Sequence, residues 1–438
     1  MTRSTKAVLW VLAYLLLVLA PLIILFIGPR PAGREFWREL SVALGFAGLS
    51  LMGLQFVPTA RLPFLARVFS MDVLYAFHHG ISLVAFGLIM AHPVLLFLNN
   101  PYTLRLLNLA SAPWRARAGV IAVIALLVLI ATSVWREKFK LKYEPWHIIH
   151  DACVLVAAAL ALYHIFKVDY HMSSPLQRAL WIILAIVWTA LFAYVRLIKP
   201  WLLTRKPWQV TRVIQERGAT WTLEVEPVGH AGITFKAGQV AWLSANHSPF
   251  SIMEHPFSFS SSPLVKGTVQ FTIRELGDFT ATVKDLKPGD RVYLDGPYGV
   301  YDINEDDVPG FVFIAGGIGS APVMSMLRTL ADQGDKRPLS LIYGSRTWED
   351  TTFREQIEEL QQRLKLDVRY VLERPPEGWG GERGYLTREI LDRILPPDRD
   401  TRSFFVCGPG PMIKVVEKII KGLEIPLANV HIEQYKMA

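Results

Sequence analysis

Cysteine is scarce in this sequence. Two cysteines occur among 438 residues, Cys153 in an apolar run and Cys407 in the carboxyl-terminal half. A disulfide framework needs several cysteines, and a cysteine-ligated metal centre needs clustered ones. The sequence therefore argues against both arrangements.

Charged residues are also few and are unevenly placed. They make up 19% of the chain, against 52% hydrophobic residues. The formal net charge is +8, but the basic residues lie largely in loops beside apolar runs and form no stripe interleaved with aromatic residues. This distribution is typical of membrane topology signals and argues against a nucleic acid partner.

Long apolar runs fill the first 200 residues. A membrane-spanning helix needs about 20 predominantly apolar residues. Six stretches meet this requirement: 7–27, 40–57, 72–98, 118–135, 146–166 and 179–195. The loops on the side of the amino terminus carry more Lys and Arg than the opposite loops. We therefore expect a multi-pass protein of the cell (plasma) membrane, in contact with lipid, whose soluble half is cytoplasmic.

Histidine is the unusual residue of these apolar runs. Ionisable side chains within a membrane are rare, costly and usually functional. His78 and His92 are fourteen residues apart in the third stretch, and His150 and His164 have the same separation in the fifth. At about 100° per residue, the two members of each set share one face of their helix. A lone histidine could instead bond a neighbouring helix, but two matched sets favour a ligand role.

The spacing predicts two haem sites stacked across the membrane. The third and fifth stretches run in the same direction, so His78 can face His150 (the first histidine pair) and His92 can face His164 (the second histidine pair), about 21 Å further along. Two axial imidazoles suit a haem iron that transfers single electrons. No CxxCH motif occurs, so the haems would be of the b type. His79 remains an alternative ligand to His78.

Two other histidines have no histidine fourteen residues away on the same helix face. His147 is interpreted as a spectator or as a residue that supports a ligand, and His171, in an outer loop, is expected to be solvated.

The chain after about residue 207 has the patterns of a soluble protein. Short alternating strands with close turns predict a small antiparallel barrel, and after about residue 309 the strand–turn–helix alternation predicts a parallel sheet. The barrel strands are expected at 208–216, 220–228, 239–245, 268–275 and 291–297. The predicted fold class is a membrane α-helical bundle of six transmembrane helices, a β-barrel and an α/β domain, with boundaries at 1–200, 207–303 and 304–438.

A glycine-rich turn follows the predicted buried strand at 310–315. The sequence GGIGSAP (316–322) leads into a helical stretch, and glycines let the backbone approach a pyrophosphate at a helix amino terminus. Pro322 stands where the third glycine of the full fingerprint would fall, so an ordinary tight turn is the alternative. The expected nucleotide contacts are Gly316, Gly317, Gly319 and Pro322.

Two more strand ends belong to the same crevice. The strand in residues 339–350 ends at Ser345 and Arg346, and no acidic residue follows to hold a ribose 2′-hydroxyl. This favours a 2′-phosphate, and hence NADPH, although NADH stays possible. The apolar strand in residues 404–412 runs into a glycine–proline turn, and such a turn lies in the ligand crevice of a parallel sheet. Its expected contacts are Cys407, Gly408 and Pro409.

In this order, the motifs resemble those of the ferric reductase and NADPH oxidase superfamily, which joins a six-helix haem domain to a ferredoxin–NADP reductase-like dehydrogenase. HPFSFSSSP (255–263) resembles its flavin motif, IRELGDFT (273–280) its pyrophosphate segment and DGPYG (295–299) a further turn. FKAGQ (235–239) resembles the preceding turn, with Ala237 in place of proline. The resemblance implies FAD contacts by His255, Pro256, Phe257, Ser258, Arg274, Gly277, Asp278, Phe279 and Thr280.

The remaining motifs resemble the nicotinamide side of the same family. GGIGSAP resembles the nucleotide loop, and CGPGPM (407–412) resembles the loop beside the nicotinamide. HIEQY (431–435) resembles the closing segment whose aromatic side chain covers the flavin. The resemblance thus implies catalytic roles for Ser258, Cys407 and Tyr435. The family's membrane histidines match the four positions above, although the family often has Arg where this chain has His79.

Residues and resemblance together predict an oxidoreductase that passes electrons from NAD(P)H to FAD, then to the first and second haem sites. An external small molecule would be the acceptor. We favour O₂ giving superoxide, because the chain shows no added extracellular binding domain. Alternatives are a ferric chelate, attracted by Arg105, Arg115 and Arg117, or a relay subunit for a separate partner. The scarcity of acids in the spans argues against a transporter. The sequence does not indicate an oligomeric state.

Overall fold

The computed structural model describes residues 3–27, 33–303 and 308–434 of the chain. In this described part, six helices are long and apolar enough to cross a membrane. They are α1 (Arg3–Ile27), α2 (Phe36–Leu54), α3 (Met71–Asn99), α4 (Trp114–Val134), α5 (Tyr143–Val168) and α6 (Pro175–Ala193). The six predicted spans are confirmed, and their bounds differ from the prediction by only a few residues.

Short helical segments connect and extend these helices. Phe56–Thr59 and Pro63–Ala66 lie between α2 and α3. The last span continues beyond α6 through a π-helical turn, Tyr194–Ile198, into Lys199–Thr204. 3₁₀ turns occupy Pro101–Leu107 and Tyr170–Met172. The chain then divides between Lys199 and Pro200 into two compact units.

Aromatic side chains fill the core of the six-helix unit. Trp181 and Trp188 of α6 pack with Phe46 and Leu49 of α2 in a buried cluster. A Cβ on Gly53 of α2 would lie 2.0 Å from the Trp188 ring. Glycine at this position therefore allows α2 and α6 to approach closely, as small residues do in membrane bundles.

The second unit begins with a curled antiparallel sheet. Its strands are β1 (Trp208–Glu216), β2 (Thr220–Pro227), β3 (Val240–Ala245), β4 (His255–Ser258), β5 (Val269–Arg274) and β6 (Arg291–Tyr298), in the order β4-β3-β6-β1-β2-β5. A bridge between Phe259 and Phe271 brings the chain after β4 against β5, so the two edges of the sheet meet. The predicted small barrel is confirmed. A short helix, α7 (Asp278–Thr282), follows β5 and continues into the 3₁₀ turn Val283–Asp285.

A six-stranded parallel sheet completes this unit, in the order β10-β9-β8-β7-β11-β12. Its strands are β7 (Phe311–Gly316), β8 (Leu339–Ser345), β9 (Leu366–Leu372), β10 (Glu382–Arg383), β11 (Ser403–Gly408) and β12 (Val430–Gln434). The helices are α8 (Ser320–Asp332), α9 (Arg354–Arg363), α10 (Arg388–Ile394) and α11 (Gly410–Gly422), with 3₁₀ turns at Gly317–Gly319, Arg399–Thr401 and Leu427–Asn429.

Alternation along the strands explains how this sheet is covered on both faces. Phe311, Phe313 and Ala315 of β7 pack with side chains of α8 and α9, whereas Val312 and Ile314 pack with α10 and α11. Successive side chains of a strand point to opposite faces, so a strand buried on both faces is apolar throughout. The order of connection reverses between β7 and β11, and ligands of such sheets bind at this switch point.

Candidate functional site

The histidines of α3 and α5 face one another in two pairs. The ring centres of His78 and His150 are 6.4 Å apart, and those of His92 and His164 are also 6.4 Å apart. His79, by contrast, is exposed. The structure therefore places the side chain of His78, and not that of His79, opposite His150.

The separation within each pair fits an iron atom between two imidazoles. Two metal–nitrogen bonds of about 2 Å each, together with the distance from each bonding nitrogen to its ring centre, account for a spacing of this size. In the described residues, no group of three or more His, Cys, Asp or Glu side chains is arranged to hold a metal ion. A six-coordinate haem iron takes two axial ligands, because the porphyrin supplies the other four donors.

Backbone carbonyls hold the rings of the second pair. The Nδ1 atom of His92 is 3.0 Å from the carbonyl oxygen of Ser41, and that of His164 is 2.7 Å from the carbonyl oxygen of Arg115. The Ser41 hydroxyl also donates to the backbone carbonyl of His92 at 2.9 Å. A carbonyl only accepts, so each Nδ1 carries the proton and each Nε2 keeps its lone pair for a metal.

A charged cluster lies beside His150 of the first pair. The Nδ1 atom of His150 is 3.8 Å from a carboxylate oxygen of Asp151, and that carboxylate is 2.7 Å from the Arg196 guanidinium. His147 lies 3.7 Å from the same carboxylate, in keeping with a supporting role. Arg196 is in the π-helical turn after α6, and such turns recur at functional sites. In the sequence, this cluster was indicated only by Asp151, an acidic residue directly after His150.

His171 is not the solvated residue that its loop position predicted. Its Nε2 atom is 3.0 Å from a carboxylate oxygen of Glu39 and 2.9 Å from the Arg34 guanidinium, and its side chain is only 11% exposed. Burial lowers the pKa of His171 below its usual value, although the Glu39 carboxylate opposes this shift. The prediction was wrong because sequence gives no sign of the packing between a loop and a distant helix end.

The barrel brings the two predicted flavin segments together. The ring of His255 lies 4.3 Å from that of Phe279, and Phe257 stacks on the same ring at 6.0 Å. Pro256 lies between them in β4, and the Ser258 side chain at its end is buried. The HPFS strand and the segment around α7 thus share one aromatic surface.

The predicted pyrophosphate segment forms a tight turn. The Thr280 hydroxyl oxygen accepts from the backbone N–H groups of Leu276 and Gly277, at 2.8 and 2.9 Å. The Gly277 amide, predicted to face phosphate, is therefore engaged within the turn. Asp278, the first residue of α7, is exposed. Arg274, at the end of β5, lies 4.0 Å from the Asp350 carboxylate.

The two glycine loops of the parallel sheet interlock. A Cβ on Gly319 would lie 2.2 Å from the carbonyl oxygen of Cys407, and a Cβ on Gly408 would lie 3.1 Å from the Cα of Gly316. A Cβ on Gly316 would overlap Pro409, at 2.9 Å. Absence of side chains therefore lets the backbones at the ends of β7 and β11 touch. The Cys407 side chain is fully buried.

The same loop reaches the barrel at Gly317. This residue has a φ of +52°, a conformation that favours glycine, and its Cβ position lies 3.5 Å from the Arg274 guanidinium. Its carbonyl accepts from the Tyr343 hydroxyl at 3.2 Å. Pro322 is buried in the first turn of α8. Arg274 thus lies beside the glycine loop that leads into α8, and a guanidinium near a helix amino terminus can bind an anion.

The end of β8 holds the predicted 2′-phosphate residues. Arg346 is exposed, whereas Ser345 is buried and its hydroxyl donates to the Thr347 carbonyl at 3.2 Å. Of the two, the Arg346 side chain is the one that faces solvent. Tyr435, predicted to cover the flavin, lies outside the described residues.

An unpredicted carboxyl group lies on the strand next to Cys407. Glu433 of β12 pairs in register with Cys407 and is 1% exposed. Neither of its oxygens has a hydrogen-bond partner within the described ranges. Burial raises the pKa of Glu433 to about 8, so the carboxyl is mostly protonated at pH 7. In the sequence, its burial was indicated only by the position of Glu433 in the closing segment before Tyr435.

The chain combines a histidine-bearing membrane bundle with a barrel and a parallel sheet that is covered on both faces. Glycine loops lie at the switch point of that sheet, where nucleotides bind in such folds, so the fold is that of a membrane protein with a nucleotide-binding domain. Residues 44–162 match the family model of the ferric reductase like transmembrane component, and residues 313–418 match that of the oxidoreductase NAD-binding domain. The chain thus contains a ferric reductase-like membrane domain and an oxidoreductase NAD-binding domain. The predicted family and enzyme class are confirmed.

Curated relatives share part of this architecture. The reductase component of propane 2-monooxygenase from Rhodococcus jostii is 31% identical over 52% of this chain and 62% of its own. NADH-cytochrome b5 reductase 2 from Pyricularia oryzae is 31% identical over 37% of this chain and 50% of its own. The chain thus spans half to about three fifths of the length of these relatives.

A solved structure has a similar fold. The flavohemoglobin from Malassezia yamatoensis, solved with bound FAD and heme, covers 92% of this chain and 100% of its own, with a TM-score of 0.51 and 18% identity. The NAD-binding family model supports the predicted binding of NAD(P)H by the second unit.

Proposed function

We propose that this chain oxidises NAD(P)H in its dehydrogenase half and passes the electrons to an external acceptor across the membrane, with FAD and two b-type haems as carriers. The loop charges support a plasma-membrane location with the dehydrogenase half in the cytoplasm. FAD supplies the conversion of a hydride into single electrons, and the haems supply single-electron transfer. One NAD(P)H releases two electrons and one proton, so two acceptor molecules gain one electron each.

One observation carries this proposal. Two histidine pairs with the same 6.4 Å ring spacing lie fourteen residues apart on α3 and α5. His78 and His150 would hold one haem, and His92 and His164 the other. A hydrogen-bonding or core role for these histidines does not require two matched pairs within a membrane bundle.

The dehydrogenase residues position the electron donor. The aromatic surface of His255, Phe257 and Phe279 would hold the flavin, with Ser258 at the edge of the same strand. Arg274 and the glycine loop would bind phosphate groups. The interlocked turn at Cys407 would place the nicotinamide, and Tyr435 would cover the flavin, as the family resemblance implies.

O₂ is the acceptor that we propose first. The alternative, a ferric chelate, is anionic and would be attracted by Arg105, Arg115 and Arg117. The Arg117 guanidinium, however, donates to the carbonyls of Ala112 and Ala110 at 2.6 and 2.9 Å. It is thus engaged in holding its own loop, which favours the small neutral acceptor.

An anaerobic optical titration of the purified protein tests the function. We expect NADPH to bleach the flavin absorption and then to produce the Soret and α bands of reduced haem. Admission of air should reverse both changes and form superoxide. Reversal by ferric citrate but not by air would favour the chelate. Slow reoxidation by both would favour a relay to a separate partner, and absence of porphyrin after expression with ample haem would contradict the proposal.

Replacement of Arg346 tests the nucleotide preference. In Arg346→Gln, we expect kcat/KM for NADPH to fall at least about 10-fold, because a charge-assisted hydrogen bond contributes roughly 1.5–3 kcal/mol, while kcat/KM for NADH changes little. Arg363→Gln, on α9, is the matched control. The name of the Pyricularia oryzae relative specifies NADH, so both nucleotides are to be compared in the unchanged protein. Equal kcat/KM for NADPH and NADH would contradict the NADPH preference.

A further inference from the structure

We propose that Gly45 and Gly119 are positioning residues for the second histidine pair. They would expose a backbone carbonyl on each neighbouring helix to the Nδ1–H of His92 or His164, and so direct both Nε2 atoms toward the cofactor. This inference rests on the proposed function, since it assigns a role toward the second haem. Neither glycine has a side chain that could ligate a metal.

The two histidines are held in the same way by different helices. His92 bonds to the carbonyl of Ser41 in α2, and Gly45 follows Ser41 by four residues. His164 bonds to the carbonyl of Arg115 in α4, and Gly119 follows Arg115 by four residues. The same spacing of acceptor and glycine thus occurs on both sides of the pair.

Both glycines lie directly against the rings. A Cβ on Gly45 would be 3.2 Å from Cγ of His92, and a Cβ on Gly119 would be 2.9 Å from Nδ1 of His164. The second contact is too close for any real Cβ, and the first is tighter than most. A side chain at either position would therefore move the ring that now lies there.

Helix geometry explains the interval of four residues. In an α-helix, the carbonyl of residue i accepts the N–H of residue i+4, but it keeps a second lone pair that can accept another donor. The approach to that lone pair passes residue i+4. Glycine at this position leaves the approach open to an imidazole from another helix.

The first histidine pair lacks the glycine contact. None of the glycines in the described ranges has the His78 or His150 ring among the atoms nearest to its Cβ position. His150 instead has the Asp151 carboxylate 3.8 Å from its Nδ1 atom. Changes at Gly45 and Gly119 should therefore affect one haem site and spare the other, which serves as an internal reference.

A graded series of alanine variants tests the inference in the full-length protein. Gly119→Ala and Gly45→Ala add one methyl group each, and Gly87→Ala in α3 is the matched control, because nothing lies within 4 Å of its Cβ position. Alanine forms helix better than glycine, so the backbone itself is not disfavoured. The readouts are haem per FAD, the two midpoint potentials and the low-spin ferric signals in electron paramagnetic resonance.

We expect Gly119→Ala to weaken haem binding at the second site by about 10-fold or more, the size of effect typical of groups that orient a metal ligand. Gly45→Ala should have a smaller effect with a shifted ferric signal, and Gly87→Ala none. The first site should keep its haem and potential throughout. If Gly119→Ala does not accumulate as folded protein, the ferric signal of Gly45→Ala decides.

Two results would overturn the inference, and they differ from each other. A protein with two haems whose occupancy, potentials and signals are unchanged in both alanine variants would remove the role of the glycines and leave the proposed function intact. An unchanged protein that binds no porphyrin would overturn the function and this inference together.

Discussion

In a His92→Ala or His164→Ala variant, we expect the haem of the second pair to be lost and reduction of the external acceptor to fall at least about 100-fold, beyond what is typical for groups that only support a ligand. Either substitution would leave the proposed haem iron with one axial imidazole, where the 6.4 Å ring spacing offers two, and this loss of a ligand weakens haem binding. The measurements are haem per FAD, from the optical spectrum of the reduced protein, and superoxide formation under NADPH.

His79→Ala is the matched control for this experiment. His79 is exposed on the same helix, so its replacement should leave haem content unchanged. Reduction of FAD by NADPH should survive in all three variants, since the dehydrogenase residues are untouched. Full haem content in both His92→Ala and His164→Ala would show that these side chains do not bind iron.

The placement of the four histidines was predictable from sequence because helix rotation is fixed per residue. A separation of fourteen residues puts two side chains on one face of a helix, whatever surrounds it, and the structure indeed brings His78 and His92 of α3 to face His150 and His164 of α5. The ligand role of these residues stays a prediction, because geometry gives the position of a side chain and not its occupant.

The support of the rings was not predictable in the same way. Ser41 and His92 are 51 residues apart, and no periodicity in an apolar helix indicates which neighbour each face will meet. The only sign in the sequence was that Gly45 and Gly119 each lie in an apolar helix. Gly87 also lies in an apolar helix, yet no atom lies within 4 Å of its Cβ position. Only the packing of the helices distinguishes Gly45 and Gly119, which contact histidine rings, from Gly87.

The barrel and the parallel sheet were predicted well because strand alternation and glycine turns are local signals. The five predicted barrel strands are present at 208–216, 220–227, 240–245, 269–274 and 291–298. The fourth strand along the chain, β4, coincides with the HPFS motif and was identified as a motif instead. The boundaries of the three proposed domains stay predictions. Buried Glu433 was missed because burial of a carboxyl depends on contacts from several elements.

Replacement of Gly319 should have the largest effect in the dehydrogenase half. A Cβ at this position would lie 2.2 Å from the carbonyl oxygen of Cys407 and 2.9 Å from Cα of Gly408. Both atoms belong to backbone, so no side-chain rotation can relieve the overlap, and the two loops must separate. We expect Gly319→Ala to lower kcat/KM for NAD(P)H at least about 100-fold and to destabilise the parallel sheet by about 1–3 kcal/mol, as overpacking does.

Gly410→Ala separates this effect from a general sensitivity of the loops. Gly410 lies in the same glycine–proline turn, but nothing lies within 4 Å of its Cβ position, so its variant should oxidise NAD(P)H at nearly the normal rate. Dithionite should reduce the haems equally in both variants, because it bypasses the dehydrogenase half. Normal NAD(P)H oxidation by Gly319→Ala would mean that close contact of the two loops is not what positions the nicotinamide. An equal fall in NAD(P)H oxidation in both variants would mean that the turn as a whole, and not the contact of Gly319 with Cys407, positions the nicotinamide.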